Sequence, residues 1–137
     1  MFSKLEKSFP EKKAQDFLKK SLDFLRSEKI IPPEIKDRIS LVNVSKKEIQ
    51  KLNHQYRDKN ESTDILSFGY KFDEKKLEGD LVLCWEVIIE NAVEDGIDPE
   101  TELAKNLIHG CLHLAGFEHS DEMFNLQEKF LKVNCSK

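Results

Sequence analysis

The chain lacks most of what would place it in a membrane, in a secretory route or among the commoner hydrolases. No apolar run approaches the ~20 residues of a membrane-spanning helix, and Met1-Phe2-Ser3-Lys4-Leu5-Glu6 does not open like a signal peptide, so a cytoplasmic location is expected. Cysteine is scarce. Cys84, Cys111 and Cys135 are odd in number and form no CxxC pair, and they read as buried hydrophobes or surface thiols of a reducing compartment. Ser67 has no GxSxG context, which argues against a serine hydrolase. There is no internal repeat, low-complexity tract or domain linker, so residues 1–137 are expected to form one domain. Basic residues almost vanish from one stretch: between Asp80 and Glu128, Lys105 alone faces twelve acids.

Charge is plentiful elsewhere. The charged fraction is 35% against a hydrophobic fraction of 39%, yet the apolar residues recur periodically, which argues for folding rather than disorder. A net charge of −4 does not by itself suggest nucleic-acid binding. The segment from Ser45 to Asn60 is the exception, with Lys46, Lys47, Lys51, Arg57 and Lys59 against only Glu48 and Asp58. A polyanion is expected to lie on the face bearing Lys46, Lys47, Lys51 and Arg57, with the acidic half turned away except at the site described next.

Three of the four histidines fall within His109-Gly110-Cys111-Leu112-His113-Leu114-Ala115-Gly116-Phe117-Glu118-His119. On a helix, His109 and His113 at i and i+4 leave the same face, one above the other. Gly116 can take φ > 0, end the helix and bring His119 back to the same point. Three neutral imidazoles with an open fourth position make a catalytic-type zinc site, with nitrogens at ~2.0–2.1 Å from the metal. Cys111, about 200° round the helix from His109, should point away from it.

The remaining pattern predicts the frame. Ser8 with Glu11 reads as a capping box, and Ala14, Phe17, Leu18, Ser21, Leu22 and Leu25 predict a helix to about Lys29. Residues 38–44 alternate as a strand, and Ser45 with Glu48 caps a short helix with Ile49, Leu52 and Tyr56 on one side. Asp58 to Ser62 reads as a loop. Residues 64–70 and 81–85 read as a hairpin around a polar turn from Asp73 to Gly79. Ile88, Ile89, Ala92 and Val93 predict a helix ended by Asp95-Gly96, and Asp98-Pro99 opens the histidine helix. Ser120 caps a last helix through Phe130. The order α-β-α-β-β-α-α-α points to a small α+β domain, helices packed on a mixed β-sheet.

The histidine and glycine spacing matches the H-E-x-x-H-x-x-G-x-x-H signature of metzincin proteases, except that Gly110 replaces the glutamate that serves as general base. A zinc peptidase is therefore disfavoured, while metal activation of water and of a phosphoryl oxygen stays open. The same stretch resembles the HGxLHLxGYDH motif of YbeY-type endoribonucleases. Leu52-Asn53, Tyr56-Arg57 and Thr63-Asp64-Ile65-Leu66-Ser67-Phe68 resemble that family's LN..YRG…TDVLSF block, and Gly79-Asp80-Leu81 its GDI strand. Phe117-Glu118 stands for the family's Tyr-Asp, and Asp58 for the glycine after its arginine.

The resemblance implies a metzincin-like zinc-site helix over a sheet. It implies a zinc-dependent, single-strand-specific endoribonuclease that matures the 3′ end of small-subunit (16S) ribosomal RNA and serves ribosome quality control. It makes Arg57 catalytic. A guanidinium suits that role, because it grips phosphate oxygens bidentately and stabilises growing charge. A ribosomal protein or GTPase is the kind of partner such a protein would have. His54 reads as solvated or at a core edge, and Thr63 and Asp64 as organisers of the loop before the strand, Asp64 by accepting backbone hydrogen bonds. The competing readings are a zinc peptidase and a non-enzymatic ribosome-assembly factor with structural zinc. An open metal position favours an enzyme, and a fourth protein ligand favours the assembly factor.

Overall fold

A computed structural model describes residues 8–61 and 63–135, so Ser62 and the opening Met1–Glu6 segment lie outside the described residues. The elements follow the expected order: α1 (Glu11–Ser27), β1 (Lys36–Asn43), α2 (Lys46–Arg57), β2 (Ile65–Phe72), β3 (Lys76–Leu83), α3 (Trp85–Asp95), α4 (Pro99–Leu114) and α5 (Asp121–Cys135). They form a small α+β domain.

The sheet runs β1-β3-β2, with β1 parallel and β2 antiparallel to the central β3. Period-2 alternation splits its side chains between two cores. Ile65, Leu77, Leu81 and Leu83 face the main core with α1, α4 and α5. Leu66, Val82 and Cys84 face a smaller one closed by Ile49 of α2 and Val87 of α3. All six predicted apolar-stripe positions of α1, Ala14 to Leu25, are buried. Helix α4 is the pillar of the domain, with ten of its sixteen residues buried.

Local caps act largely as expected. Ser45 Oγ accepts from Glu48 N at 3.1 Å, Asp98 Oδ1 from Thr101 N at 2.9 Å, and Ser120 Oγ from Met123 N at 3.2 Å. The first helix differs: it starts at Glu11, so Pro10 and not Ser8 holds the N-cap position, and Pro10 makes no side-chain cap bond.

Strand β3 also differs. The residues expected to turn, Lys76 to Gly79, are already strand, and only Asp73–Lys75 make the loop. A central strand is hydrogen-bonded on both sides, and that outweighs the weak β-preference of charged residues. Asp73 Oδ1 closes the loop by accepting from the backbone N–H of Lys75 and Lys76 at 2.8 and 3.0 Å. Trp85 begins α3 instead of ending the strand, its N–H donating to Asn43 Oδ1 at 2.8 Å. Helix α5 runs on past Phe130 to Cys135. Tyr56, placed by pattern on the packed side of α2, is 60% exposed and stands edge-on to Phe68.

Candidate metal centre

His109 and His113 leave one face of α4 one turn apart. The helix then ends in a Schellman motif. Phe117 N–H bonds Leu112 O and Gly116 N–H bonds His113 O, both at 3.0 Å, with Gly116 at φ +96. A side chain at that φ would be strained, so glycine lets the chain reverse within a few residues. The reversal carries His119 back over the helix end.

The imidazoles converge on one point. His113 Nε2 and His119 Nε2 lie 3.1 and 3.3 Å from His109 Nε2. The opposite nitrogens are already committed. His109 Nδ1 donates to Gln127 Oε1 and His113 Nδ1 to the Phe117 carbonyl, each at 2.9 Å. Both Nε2 atoms therefore present lone pairs, and two lone pairs cannot bond each other. A cation between them resolves the conflict. Tetrahedral geometry with bonds of ~2.0–2.1 Å places ligand nitrogens about 3.3 Å apart, close to the spacings found. Burial pushes the pKa of His109 and of His113 below the ordinary histidine value, keeping both in the neutral form that binds metal; neighbouring histidines add to the effect, and for His113 the Arg57 charge does too. The three residues are placed to hold a metal ion, and no other such His/Cys/Asp/Glu cluster occurs among the described residues. Cys111 is fully buried away from it.

Gly110 carries more than an absent base. A Cβ there would meet Leu81 Cδ2 at 2.8 Å and Ile65 Cδ1 at 2.9 Å. The position faces the sheet, not the metal, and a side chain there fits only if the ends of Leu81 and Ile65 give way. A glutamate at this position would have to displace those side chains.

The histidines open into a cleft of about 1200 Å³. Arg57, at the end of α2, is exposed and lines this cleft with Lys59, Tyr56 and Phe68. Lys46, Lys47 and Lys51 do not line it, and Lys46 Nζ is held by Glu90 Oε2 at 2.6 Å. His54 is exposed and outside the cleft wall. Asp64 organises the loop before β2, but through side-chain donors, Thr63 Oγ1 at 3.4 Å and Asn91 Nδ2 at 3.2 Å.

Contrary to the expectation that the acidic half turns away, Asp95 and Glu102 line the same cleft. Glu102 is 2% exposed, and burial pushes its carboxyl above the ordinary range, with Asp95 and Asp64 adding to that against Lys105. Gln127, Tyr56, Lys59 and Glu102 were not singled out from sequence as site residues. No local pattern marks Gln127, on another helix, or Glu102, on an unremarkable position of α4; Tyr56 and Lys59 stood in the YRG-like block and the basic stretch, where the fold alone separates cleft residues from their neighbours.

Residues 2–134 match the family model described as Endoribonuclease YbeY. A protein of that name from Bdellovibrio bacteriovorus is 36% identical over 135 residues, covering 93% of this chain and 89% of its own. The namesake from Thermotoga maritima is 38% identical over 112 residues, 77% of this chain and 73% of its own. One from Staphylococcus aureus is 34% identical over 127 residues, 82% and 81%. Among solved structures, the solution structure of TM1509 from Thermotoga maritima superposes with a TM-score of 0.64 at 28% identity, covering 94% of this chain and 90% of that one. Motif, site geometry and matches along nearly the whole length agree: the chain belongs to the YbeY endoribonuclease family.

Proposed function

We propose that this protein is a zinc-dependent, single-strand-specific endoribonuclease that matures the 3′ end of small-subunit ribosomal RNA in the cytoplasm and contributes to ribosome quality control. The observation that carries the reading is the convergence of three imidazole Nε2 atoms in an open cleft that also holds an exposed guanidinium. Zinc suits three nitrogen ligands with a position left for exchange, and supplies Lewis-acid activation of water and of a phosphoryl oxygen.

The chain's own residues divide the remaining work. His109, His113 and His119 hold the metal. Arg57 clamps phosphate oxygens and stabilises the negative charge that grows on them, a task that planar two-point donation performs better than a point charge. Tyr56, exposed beside Arg57, offers a face on which an unpaired base stacks. Lys47, Lys51 and Lys59 extend the positive surface along which the RNA backbone runs, with Lys46 contributing once released from Glu90. A ribosomal protein or GTPase presents the substrate.

A side chain at Gly110 would have to displace Leu81 and Ile65 and would face the sheet instead of the metal, which weighs against a peptidase. No fourth protein ligand joins the three histidines among the described residues, which favours an enzyme over an assembly factor with structural metal. The test is cleavage of single-stranded and duplex RNA by metal-stripped and zinc-restored protein, with His113→Ala as control. Zinc-restored protein should cut the single strand, and His113→Ala should lose both metal and cleavage. Restored protein with full metal content that cuts no RNA would return the assembly-factor reading.

A further inference from the structure

We infer that the free edge of β2 reads unpaired bases: the backbone N–H and C=O of Ile65 and of Ser67 take the Watson–Crick edges of single-stranded RNA, whichever base is presented. The inference deepens the nuclease reading and rests on it for the substrate class. Its content comes from the strand itself.

Strand β2 is an edge strand, paired only with β3. In an antiparallel pair, successive residues direct their N–H and C=O alternately toward the partner and away from it. Two bonds fix the phase. Cys84 N–H donates to Asp64 O at 2.9 Å, so Asp64, Leu66 and Phe68 turn their backbone groups toward β3. Leu83, opposite Ile65, turns the other way, its carbonyl accepting from Val44 N–H at 2.8 Å. Ile65 and Ser67 therefore aim both backbone groups off the open edge, where they meet no partner among the described residues.

That edge lies in the middle of the cleft. Helix α4 packs on one face of the sheet and α2 on the other. Yet His109 and His113 of α4 and Arg57 of α2 line the same cleft, with residues 65–68. A cleft that touches both faces has to wrap the β2 edge. A strand of RNA held between the histidines and Arg57 thus runs past the two open backbone pairs.

Each of the four bases carries an adjacent donor and acceptor on its Watson–Crick edge, so one N–H beside one C=O meets any of them. In a duplex those atoms are already bonded to the other strand. The two backbone pairs stand about 6.8 Å apart at ~3.4 Å per residue, room for two separate bases. The edge thus selects single strands without selecting sequence. Arg57 and Lys59 on the cleft wall favour a polyanion over an added peptide strand, and a bulge between Gly69 and Lys71 breaks the edge just beyond.

The experiment uses the zinc-loaded full chain and a single-stranded 2′-O-methyl oligouridine. Amide hydrogen exchange, read by NMR, should slow about tenfold or more at Ile65 and Ser67 when the oligomer binds, and stay unchanged with a duplex of the same length. The same oligomer methylated at every N3 keeps phosphates, sugars and ring faces but blocks the pairing edge. It should bind about tenfold more weakly and leave both amides unprotected. Ser67→Pro deletes one outward N–H and no ladder bond, a change that an edge strand tolerates. It should weaken binding of the plain oligomer and leave that of the N3-methylated one as it was. Equal affinity for the two oligomers, or unchanged exchange at both amides, would overturn the inference. So would protection by a short valine–threonine peptide in place of the oligouridine, which would make the edge a strand-addition site. Protection without cleavage of any unmodified RNA would keep the base-reading edge and sink the nuclease reading. Cleavage with both amides unprotected would do the reverse.

Discussion

His109 Nδ1 lies 2.9 Å from Gln127 Oε1, a contact that ties α4 to a residue eighteen positions on in α5. Gln127 is 7% exposed, so the amide is held in place by its surroundings. An acceptor at this point fixes the tautomer of His109 and directs its Nε2 lone pair to the shared metal point. Gln127→Leu keeps the volume and removes the acceptor. Metal affinity should fall about 10–100-fold, the usual cost of losing such a partner, while the folded circular-dichroism spectrum is retained. Competition against a chelator of known affinity measures it. Wild-type affinity in Gln127→Leu would mean that the ring is oriented by packing alone.

Arg57 stands at the other side of the cleft, exposed and close enough to His113 to disfavour its protonation. Arg57→Ala should keep the fold and metal content yet slow single-turnover RNA cleavage about 10²-fold, the scale of deleting one transition-state donor. Arg57→Lys should recover only part of this, because an ammonium keeps the charge and loses the planar fork. A wild-type cleavage rate in Arg57→Ala would leave this arginine a positioning or structural role.

Gly110 sits against the sheet, with Leu81 and Ile65 side chains within 2.9 Å of where a Cβ would stand. In Gly110→Ala, better helix propensity offers roughly 0.5–1 kcal/mol, and overpacking costs roughly 1–3 kcal/mol. The net should be a modest loss of stability. Gly110→Glu buries an unpartnered carboxylate among apolar groups and should lose about 3–5 kcal/mol, with no peptidase activity gained. Urea unfolding of both variants, with a peptide-hydrolysis assay on the second, checks this. A stable Gly110→Glu protein that cuts peptides would contradict the packing argument.

Glu102 gives a pH dependence with a definite sign. Burial raises its folded-state pKa above the unfolded one. Its contribution to stability is then fully present below the ordinary carboxylate range and is lost as pH rises through the raised folded value. Glu102→Gln imitates the protonated form at every pH. The variant should match wild type near pH ~4 and unfold at a higher temperature by a few degrees near pH ~8, the scale of relieving about 1–3 kcal/mol at one buried group. Thermal melts across that range measure it. A gap that narrows as pH rises would mean that Lys105 stabilises the carboxylate more than burial penalises it.

How far the sequence reached depended on how local each feature is. The i, i+4 histidines, the glycine that reverses the chain after them, the Ser45 and Asp98 caps and the β2–β3 hairpin rest on contacts within a few residues, and spacing and side-chain chemistry determined them. Even the metal point was legible, because a helix turn and a glycine turn set where three nearby imidazoles meet. Tertiary structure decided the rest. It extended β3 back through Lys76–Gly79, since a central strand takes hydrogen bonds from neighbours distant in the chain. It set Lys46 against Glu90 and left Lys59 on the cleft wall, a choice between equal charges that only the positions of α2 and α3 make. It brought Gln127 to His109, and set Leu81 and Ile65 so close to Gly110 that any side chain would displace them. Asp95 and Glu102 line the cleft for the same reason, Asp95 exposed and Glu102 buried: which faces of α3 and α4 meet decides it, and a charged residue in a sequence does not reveal whether packing will leave it in water.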